Sequence, residues 1–376
     1  QQHPWGWAAD GAVQKARKSI AENLNCKAHE IFFTSGATES NNWALQGLVR
    51  QWHKENSKQP IHILSSTIEH SSVKSALQSL QELADIYSVP LDIEFLPVDG
   101  YGFLQPETFR QAIRPSTKLL SLIWVNNEVG TIQDMSALVQ MAREKQVYVH
   151  SDATQAVGKI PVDLQKIPVD LLSFSGHKIY GPKGVGALFV RSKNPAVQLQ
   201  PLLYGGGQEQ GLRSGTLNVP GIVGMAEALR LCHGEQPQEW RRQQELQIYF
   251  WQKLQGLKTS DHRPVQIKLN GASILQNDPA EKGRSPVNLN ISFLNIQLSD
   301  IQPSILSLGV SSGSACGSGS LKPSSVLLAL GLDAHTAQNS LRLSLGRWTQ
   351  KEDIDQACAI IQKAMAQARL DNSNKI

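Results

Sequence analysis

Short apolar runs alternate with longer amphipathic stretches along the first half of the chain. Between several of these runs, apolar residues recur at helical spacing, as at Leu45, Leu48, Val49 and Trp52. A first helix is predicted at about Asp10–Asn23. The alternation of strand and helix predicts a mainly parallel sheet with helices on both sides. The predicted strands are Glu30–Phe33, Ile61–Ser65, Asp92–Pro97, Lys118–Val125, Val147–Ser151, Leu171–Phe174 and Gly186–Arg191.

The remainder of the chain predicts a smaller second domain. Helical spacing runs from Gly221 through Leu257 and is followed by mixed strand and helix segments. We therefore predict a large α/β domain at residues 11–225 and a smaller α+β domain at residues 226–376, and we expect the N-terminal segment 1–10 to join the smaller domain. The polar stretch Asn277–Ser285 predicts a surface loop.

Composition and charge narrow the class of protein. The 376 residues carry a net charge of +4 without long Lys/Arg runs, so nucleic-acid binding is not expected. No apolar run approaches the roughly 20 residues that span a bilayer, so we expect no membrane association. The sequence starts at Gln1 with neither an initiator Met nor a signal-peptide pattern, and we expect the natural chain to begin earlier.

The four cysteines lie far apart in the sequence. None forms a Cys-x-x-Cys pair, so no resident metal site or disulfide scaffold is expected, and a reducing, cytoplasmic compartment fits better. Cys232 and Cys358 stand at helical spacing with apolar residues and are predicted to be core residues. Cys316 lies in Ser311–Ser320, a Ser/Gly-rich stretch that predicts a flexible loop. A lone thiol in such a loop predicts a reactive cysteine.

The strongest chemical feature follows the predicted strand Leu171–Phe174. Lys178, in the turn directly after this strand, is in position to form a Schiff base at the sheet edge. Ser175 and His177 beside it can hydrogen-bond a phosphate. A solvated lysine in a Gly-rich loop is the alternative interpretation.

A carboxylate follows the preceding apolar strand. Asp152 can bind the pyridinium nitrogen of pyridoxal phosphate and keep it protonated, so that the ring accepts electrons. Gln155, three residues further on, can reach the ring hydroxyl. A helix cap is the alternative role for Asp152.

A third strand leads into a Gly-containing turn and a helix. In Thr34–Ser40 the free backbone N–H groups and the helix dipole make a natural phosphate site, although Ser and Thr at helix starts are often only caps. No Gly-Lys-Ser/Thr follows, so this is not a Walker loop. His70, after the next strand, can lie flat against a planar ring, or it can be a satisfied structural histidine.

Two further polar residues stand in apolar surroundings. Arg342, in Ser340–Gly346, needs an anion there, and a substrate carboxylate would bind it with two parallel hydrogen bonds. An internal Asp or Glu is the alternative partner. Asn127, in Trp124–Gly130, follows a strand and can contact cofactor or substrate. A buried Asn in a turn is the alternative.

Together these segments closely resemble the cysteine desulfurases of the NifS/IscS group, which belong to the fold-type I, class V aminotransferase superfamily. They run in family order over nearly the whole chain, and the combination is specific although each piece alone is not. The matching stretches are Thr34–Asn41, Glu69–His70, Val125–Gly130, Asp152–Asp163, Phe174–Val190, Arg213–Thr216, Val310–Cys316 and Leu341–Arg347.

The resemblance implies a fold and a cofactor site. The fold would be a mainly parallel seven-stranded sheet in a large domain, with a smaller α+β domain. Lys178 would hold pyridoxal 5'-phosphate, Asp152 would pair with its ring nitrogen, and His70 would stack on the ring and act in catalysis. Gln155 and Asn127 are the other implied contacts at the ring. The implied contacts at the phosphate are Ala37, Thr38, Ser175 and His177, together with Thr216, which would reach over from the partner subunit.

The resemblance also implies a reaction. Arg342 and Asn127 would bind L-cysteine, and Cys316 would take its sulfur, giving L-alanine and a persulfide for sulfur acceptors such as the scaffold proteins of iron–sulfur cluster assembly. Cys316 is then also a candidate transient ligand of such a cluster. The enzyme would be a homodimer, and the Ser-rich setting of Cys316 is similar to the long-loop enzymes of the group.

The chain departs from the family pattern at three places. The family opens with a strand and turn near the substrate, and this sequence begins after them. Gln210 stands where the family has Arg, which removes an expected ion pair near the subunit interface. The sequence also ends before the C-terminal tail that docks scaffold proteins in some relatives.

Two other functions are compatible with these residues. A related C–S lyase, acting on cystine or selenocysteine, would share the cofactor site without using Cys316 as a nucleophile. A non-catalytic cofactor-binding scaffold is the second, and the presence of Lys178, Asp152 and Cys316 together argues against it.

Overall fold

The computed structural model describes residues 3–274, 282–312 and 323–365. The chain folds into two compact units. The first contains residues 1–97, 104–125 and 134–236, and the second contains 98–103, 126–133 and 237–376. None of the helices in the described ranges has the length and apolar composition that crossing a bilayer requires.

The helices of the described residues vary from one turn to ten. The longest contains Pro237 in its interior. The helices are α1 (Pro4–Leu24), α2 (Ala37–Glu55), α3 (Ser71–Tyr87), α4 (Pro106–Ala112), α5 (Met135–Glu144), α6 (Val219–Gln255), α7 (Leu298–Ile301), α8 (Ser325–Ala329), α9 (Ala334–Gln338) and α10 (Lys351–Met365).

The strands form a large sheet in the first unit and two smaller sheets in the second. The strands are β1 (Ile31–Thr34), β2 (Ile61–Ser66), β3 (Leu91–Leu96), β4 (Thr117–Ile123), β5 (Thr131–Ile132), β6 (Tyr148–Asp152), β7 (Leu171–Ser175), β8 (Gly186–Val190), β9 (Ile267–Leu269), β10 (Gly283–Arg284), β11 (Asn288–Phe293), β12 (Ser311–Ser312) and β13 (Ser340–Ser344).

The first unit is built on a seven-stranded sheet of order β1-β8-β7-β6-β4-β2-β3. β3, β2, β4, β6 and β7 are parallel, whereas β8 is antiparallel to both β7 and β1. β1 therefore points the same way as β7. Nearly every residue of these strands is buried except in the edge strand β3, as expected for a parallel sheet covered on both faces. The predicted mainly parallel, seven-stranded sheet is confirmed, with strand bounds shifted by one or two residues.

The second unit contains a four-stranded antiparallel sheet of order β12-β13-β11-β9. Its apolar core combines residues of β11 and β13 with Phe250 and Leu254 of α6 and with Ile354 and Ile361 of α10. Cys358 is buried in this core, and Cys232 is buried in the first unit, so both predicted core cysteines are confirmed.

The units divide at other residues than the sequence predicted. The N-terminal segment does not join the second unit as predicted, because it belongs to the first unit. There α1 begins at Pro4, and His3 caps it by accepting a hydrogen bond from the Gly6 N–H. Residues 98–103 and 126–133 belong to the second unit, where the Thr131 hydroxyl donates to the Tyr101 carbonyl. Local periodicity carries no information on such long-range pairing.

Part of the predicted surface loop Asn277–Ser285 is buried. Gly283 and Arg284 form β10 and pair with β5, with Arg284 opposite Thr131. The Arg284 guanidinium donates to the carbonyls of Asn270 and Ala272. These hydrogen bonds take the place of hydrogen bonds to water, so that the polar side chain can be buried. The prediction of a surface loop is therefore wrong for residues 283–285.

Candidate active site

The carboxyl ends of six strands of the large sheet share one edge, because every strand of this sheet except β8 points the same way. The turn at Gly36 follows β1, His70 follows β2, Asp152 ends β6, and Lys178 follows β7. Ligands of open α/β sheets bind at this edge. The structure thus gathers in one place the candidate residues that the sequence scatters over roughly 140 positions of the first unit.

The turn between β1 and α2 is packed tightly against β7 and β8. A Cβ atom on Gly186 would lie 2.6 Å from the Gly36 Cα atom, and one on Gly36 would lie 3.7 Å from the Ser175 Oγ atom. Ala37 and Thr38 form the first turn of α2, where backbone N–H groups have no intrahelical partner. The glycines therefore let the start of α2, with its free backbone N–H groups, approach the Ser175 hydroxyl closely.

The end of β7 and the turn after it carry a hydroxyl, an imidazole and an amine within four positions. The Ser175 Oγ atom lies 2.8 Å from the His177 Nδ1 atom. Partial burial lowers the pKa of His177, and the charges of Lys178 and Lys183 act in the same direction. His177 and Lys178 are both exposed, so the amine is accessible at the sheet edge.

Asp152 is buried, with 3% of its surface exposed, and each carboxylate oxygen has a donor. Asn41 donates its side-chain N–H to Oδ2 at 2.8 Å, and the Thr154 backbone N–H donates to Oδ1 at 3.0 Å. The residues after Asp152 form turns and no helix, so the alternative role as a helix cap is not observed. The carboxylate caps a turn and stays fixed at the end of β6.

His70 is the N-cap of α3. Its Nδ1 atom accepts from the Ser72 backbone N–H at 3.2 Å and lies 2.8 Å from the Ser72 Oγ atom. The structural interpretation of His70 is therefore partly correct, because its side chain satisfies a helix start. The same contacts fix the orientation of the half-buried imidazole ring.

Buried Glu69 and half-buried Lys159, beside these residues, have displaced pKa values. Burial raises the pKa of the Glu69 carboxyl to about 8, and the negative charge of Asp152 acts in the same direction. Burial lowers the pKa of Lys159 to about 8, helped by the positive charge of Lys178. The Lys159 ammonium donates to Oε1 of Gln155, the residue predicted to contact a ring hydroxyl. Displaced pKa values of this kind are typical of functional sites.

An ion pair joins the start of α2 to the loop that precedes α6. Arg213 binds Glu39 with two hydrogen bonds, of 2.7 and 3.1 Å, and Glu39 also accepts from the Ser35 backbone N–H. Thr216, three residues after Arg213, is exposed. The loop carrying Thr216 is thus tied to the helix start near the Ser175 hydroxyl.

The second unit holds two of the predicted substrate residues in contact. Arg342, on β13, donates to the backbone carbonyl of Asn127 at 3.2 Å. It forms no ion pair with any described residue, so the alternative of an internal acidic partner is not observed there. Asn126 shapes this turn by accepting from the N–H groups of Glu128 and Val129. The other N–H groups of the Arg342 guanidinium make no hydrogen bond to the described residues.

Cys316 lies outside the described residues. Described residues on either side of it have defined partners in the second unit. Ser311 pairs with Arg342 in the sheet, and the Ser324 hydroxyl donates to the Glu128 carboxylate at 2.5 Å. The predicted role of Cys316 stays a prediction.

The first unit offers the donor set that pyridoxal phosphate needs. Lys178 supplies the amine, and Asp152 supplies a buried acceptor for a ring N–H. The helix start at Ala37, with Ser175 beside it, supplies the phosphate donors. The residues present therefore fit this cofactor.

Sequence reasoning gave no role to Asn41 or Ser72. Both are buried polar residues, and both stand on the apolar faces of their helices, Asn41 four residues before Leu45 and Ser72 four before Ala76. A polar side chain on an apolar face needs a partner. The position of these polar residues among the apolar residues of their helices could therefore have indicated a buried hydrogen bond from the sequence.

Sequence comparison relates the chain to known proteins. The family model described as Aminotransferase class-V matches residues 1–357. A protein named cysteine desulfurase IscS from Mannheimia succiniciproducens is 40% identical over 367 residues, which cover 98% of this chain and 84% of that protein. A protein of the same name from Klebsiella pneumoniae is 41% identical with the same coverage.

Solved structures of similar fold give the same relationship. One described as a NifS-like protein has a TM-score of 0.82 and 33% identity, covering 96% of this chain and 90% of that chain. Another, SspA in complex with cysteine, has a TM-score of 0.73 and 30% identity, covering 93% and 91%. The chain belongs to the class-V aminotransferase family, in the group of the NifS- and IscS-type cysteine desulfurases.

Proposed function

We propose that this protein is a pyridoxal-phosphate-dependent cysteine desulfurase, which removes sulfur from L-cysteine and releases L-alanine. Membership of the family supports this function. The observation that carries it is the position of Lys178, directly after β7, beside the strand that ends in the buried Asp152.

The cofactor, when bound, supplies a positively charged ring that accepts the electrons of the substrate Cα–H bond. Lys178 would hold the cofactor covalently, and its amine, once released, would take the proton from Cα. Asp152 would keep a proton on the ring nitrogen, since Asn41 and Thr154 hold both carboxylate oxygens in place. His70 would cover the ring face, oriented by Ser72.

The phosphate would bind at the start of α2. Ala37 and Thr38 would donate their backbone N–H groups, and Ser175 and His177 would add side-chain donors. Gln155 and Asn127 would contact the ring. These assignments follow from the donor set of the first unit and from the family pattern.

The substrate carboxylate would bind Arg342. A guanidinium can donate two parallel hydrogen bonds to a carboxylate, and Arg342 has no acidic partner among the described residues. Asn127 would assist, because its side-chain amide makes no hydrogen bond to the residues described.

Cys316 would be the nucleophile that receives the sulfur. Its thiolate would attack the substrate sulfur, forming a new S–S bond while the Cβ–S bond breaks. The electron pair of the broken bond stays with the substrate carbon, which gains protons and leaves as alanine. The product on the protein is a Cys316 persulfide.

The persulfide would be passed to acceptor proteins, of which scaffolds of iron–sulfur cluster assembly are one class. We also propose a homodimer in which Thr216 reaches the phosphate of the partner subunit, since Thr216 is exposed on a loop held by Arg213 and Glu39. A reducing cytoplasmic compartment, expected from the cysteine pattern, stays a prediction.

The proposal is tested by incubating the purified protein with pyridoxal phosphate and L-cysteine. Alanine and protein-bound sulfane sulfur should form in equal amounts, with the sulfur on Cys316 by peptide mapping. Free sulfide and pyruvate without bound sulfur would support a C–S lyase. Cofactor binding without any turnover of cysteine, cystine or selenocysteine would support a non-catalytic protein.

A further inference from the structure

Asn41 joins two side chains that lie far apart in the sequence. It is fully buried on α2, and its side-chain nitrogen lies 2.8 Å from the Asp152 Oδ2 atom and 2.8 Å from the Ser72 Oγ atom. An amide nitrogen carries two protons, so it can satisfy both acceptors at once.

The direction of each hydrogen bond follows from its neighbours. An ionised carboxylate only accepts, so the amide nitrogen of Asn41 must face Asp152. The Ser72 hydroxyl accepts the second amide proton and is left to donate its own proton to the His70 Nδ1 atom, 2.8 Å away. The Ser72 backbone N–H, which can only donate, points at the same Nδ1 atom at 3.2 Å.

Two donors therefore converge on one nitrogen of His70. Nδ1 must act as an acceptor, and the neutral ring then carries its proton on Nε2. A continuous chain of hydrogen bonds runs from Asp152 through Asn41 and Ser72 to His70. All four residues belong to the first unit.

We propose that Asn41 and Ser72 are positioning residues, which hold Asp152 and His70 as one hydrogen-bonded unit and place the proton of the neutral His70 ring on Nε2. This inference rests on the proposed roles of Asp152 and His70 toward pyridoxal phosphate. Asn41 donates a hydrogen bond to a buried oxygen of the Asp152 carboxylate. Without this donor the carboxylate would have to reorient. Ser72 leaves the Nε2–H group of His70 as the end of the ring that can donate a proton.

The first test uses nitrogen NMR of histidine-labelled apoprotein, with the His70 signals assigned by their absence in His70→Gln. The wild-type ring should show its proton on Nε2 and an accepting Nδ1. Ser72→Ala should shift the Nδ1 signal, because it removes one of the two donors. Ser72→Thr should restore it, whereas Ser71→Ala, at the exposed neighbouring position, should leave it unchanged.

Asn41→Leu gives the sharper test, because Asn41 makes no hydrogen bond to His70. It should shift the His70 Nδ1 signal in the wild-type background and cause no further shift in the Ser72→Ala background. Asn42→Leu, one residue along the same helix, is the matched control. A ring proton on Nδ1 in the wild type, or an unchanged His70 signal in Asn41→Leu, would overturn the inference.

The second readout is the affinity of the apoprotein for pyridoxal phosphate without substrate. Asn41→Leu should weaken it by about tenfold or more, the usual effect of removing a hydrogen bond from a charged group. Asn42→Leu should bind like the wild type. Wild-type protein that fails to bind the cofactor would refute the proposed function, while the NMR result would still decide the hydrogen-bond chain. Normal binding by wild type and Asn41→Leu alike would refute only the positioning role.

Discussion

Two groups of candidate residues differ in how many of their polar atoms already have hydrogen-bond partners within the protein. One group lies at the strand ends of the first unit, and the other surrounds Arg342 in the second unit. In the first unit both oxygens of Asp152 have donors, and the Nδ1 atom of His70 accepts from Ser72. In the second unit Arg342 donates to one carbonyl, and the Asn127 side chain makes no hydrogen bond to a described residue.

This difference matches the lifetime of the ligands that we assign to the two regions. A cofactor that stays bound through many turnovers benefits from groups held in place beforehand, because no reorganisation is then needed during reaction. A substrate must enter and leave in each turnover. The donors that bind it form hydrogen bonds to water between turnovers. The comparison predicts that changes in one region affect the cofactor and changes in the other affect the substrate.

The largest effect is expected for Lys178→Ala. Without this amine the cofactor cannot be fixed by borohydride, and desulfurase activity should fall by about 10³-fold or more. The hydrogen-bond donors of the first unit should still bind the cofactor non-covalently. Visible absorbance would measure this binding, and peptide mapping would locate any covalent label. Lys183→Ala, five residues away, is the control and should retain the covalent label. Label on any lysine other than Lys178 would contradict the assignment.

Cys316→Ala should separate cofactor binding from sulfur transfer. Cofactor affinity and colour should be unchanged, while bound sulfane sulfur disappears and alanine release falls by at least about 10²-fold, because the nucleophile is absent. Cys26→Ala serves as the control and should retain wild-type activity. Alanine release at the normal rate from Cys316→Ala would favour the lyase.

Arg342→Ala should weaken substrate use without affecting the cofactor. Loss of a charged hydrogen-bond partner should lower kcat/KM for L-cysteine by about 10- to 100-fold. The dissociation constant of pyridoxal phosphate should not change, and Arg241→Ala, an exposed arginine of the same unit, should match the wild type. A parallel loss of cofactor affinity would break the distinction between the two regions.

Glu69→Gln should give the smallest effect, a change in how stability depends on pH. Burial raises the pKa of Glu69 from 4.5 to about 8, so the folded protein keeps this proton while the unfolded chain releases it between these pH values. The free energy of unfolding of the wild type then falls as pH rises through this window, by at most about 1.4 kcal/mol per pH unit from this group.

The glutamine variant should lack that decline. Urea unfolding of both proteins at pH 6 and pH 8 would measure it, since other titrating groups are common to the two. An equal loss of stability in Glu69→Gln and wild type would show that Glu69 is ionised in the folded protein.

The sequence predicted the elements of the first unit well, because its signals are local. All seven strands of the large sheet were found within one or two residues, and the polar residues that follow several of them were identified from their position alone. Predictions failed where pairing is distant. Residues 98–103 and 126–133 belong to the second unit, and Gly283 and Arg284 form a strand instead of a surface loop.

The sequence by itself determined which strands are buried, which residues stand at their carboxyl ends, and to which family the pattern is similar, since hydrophobic period and motif order are properties of neighbouring residues. Only the tertiary structure decided which side chains form hydrogen bonds with each other. Asn41 meets Asp152 across 111 positions, and Arg213 meets Glu39 across 174. Such contacts depend on the order and direction of strands in the sheet, which bring distant helix starts to one edge.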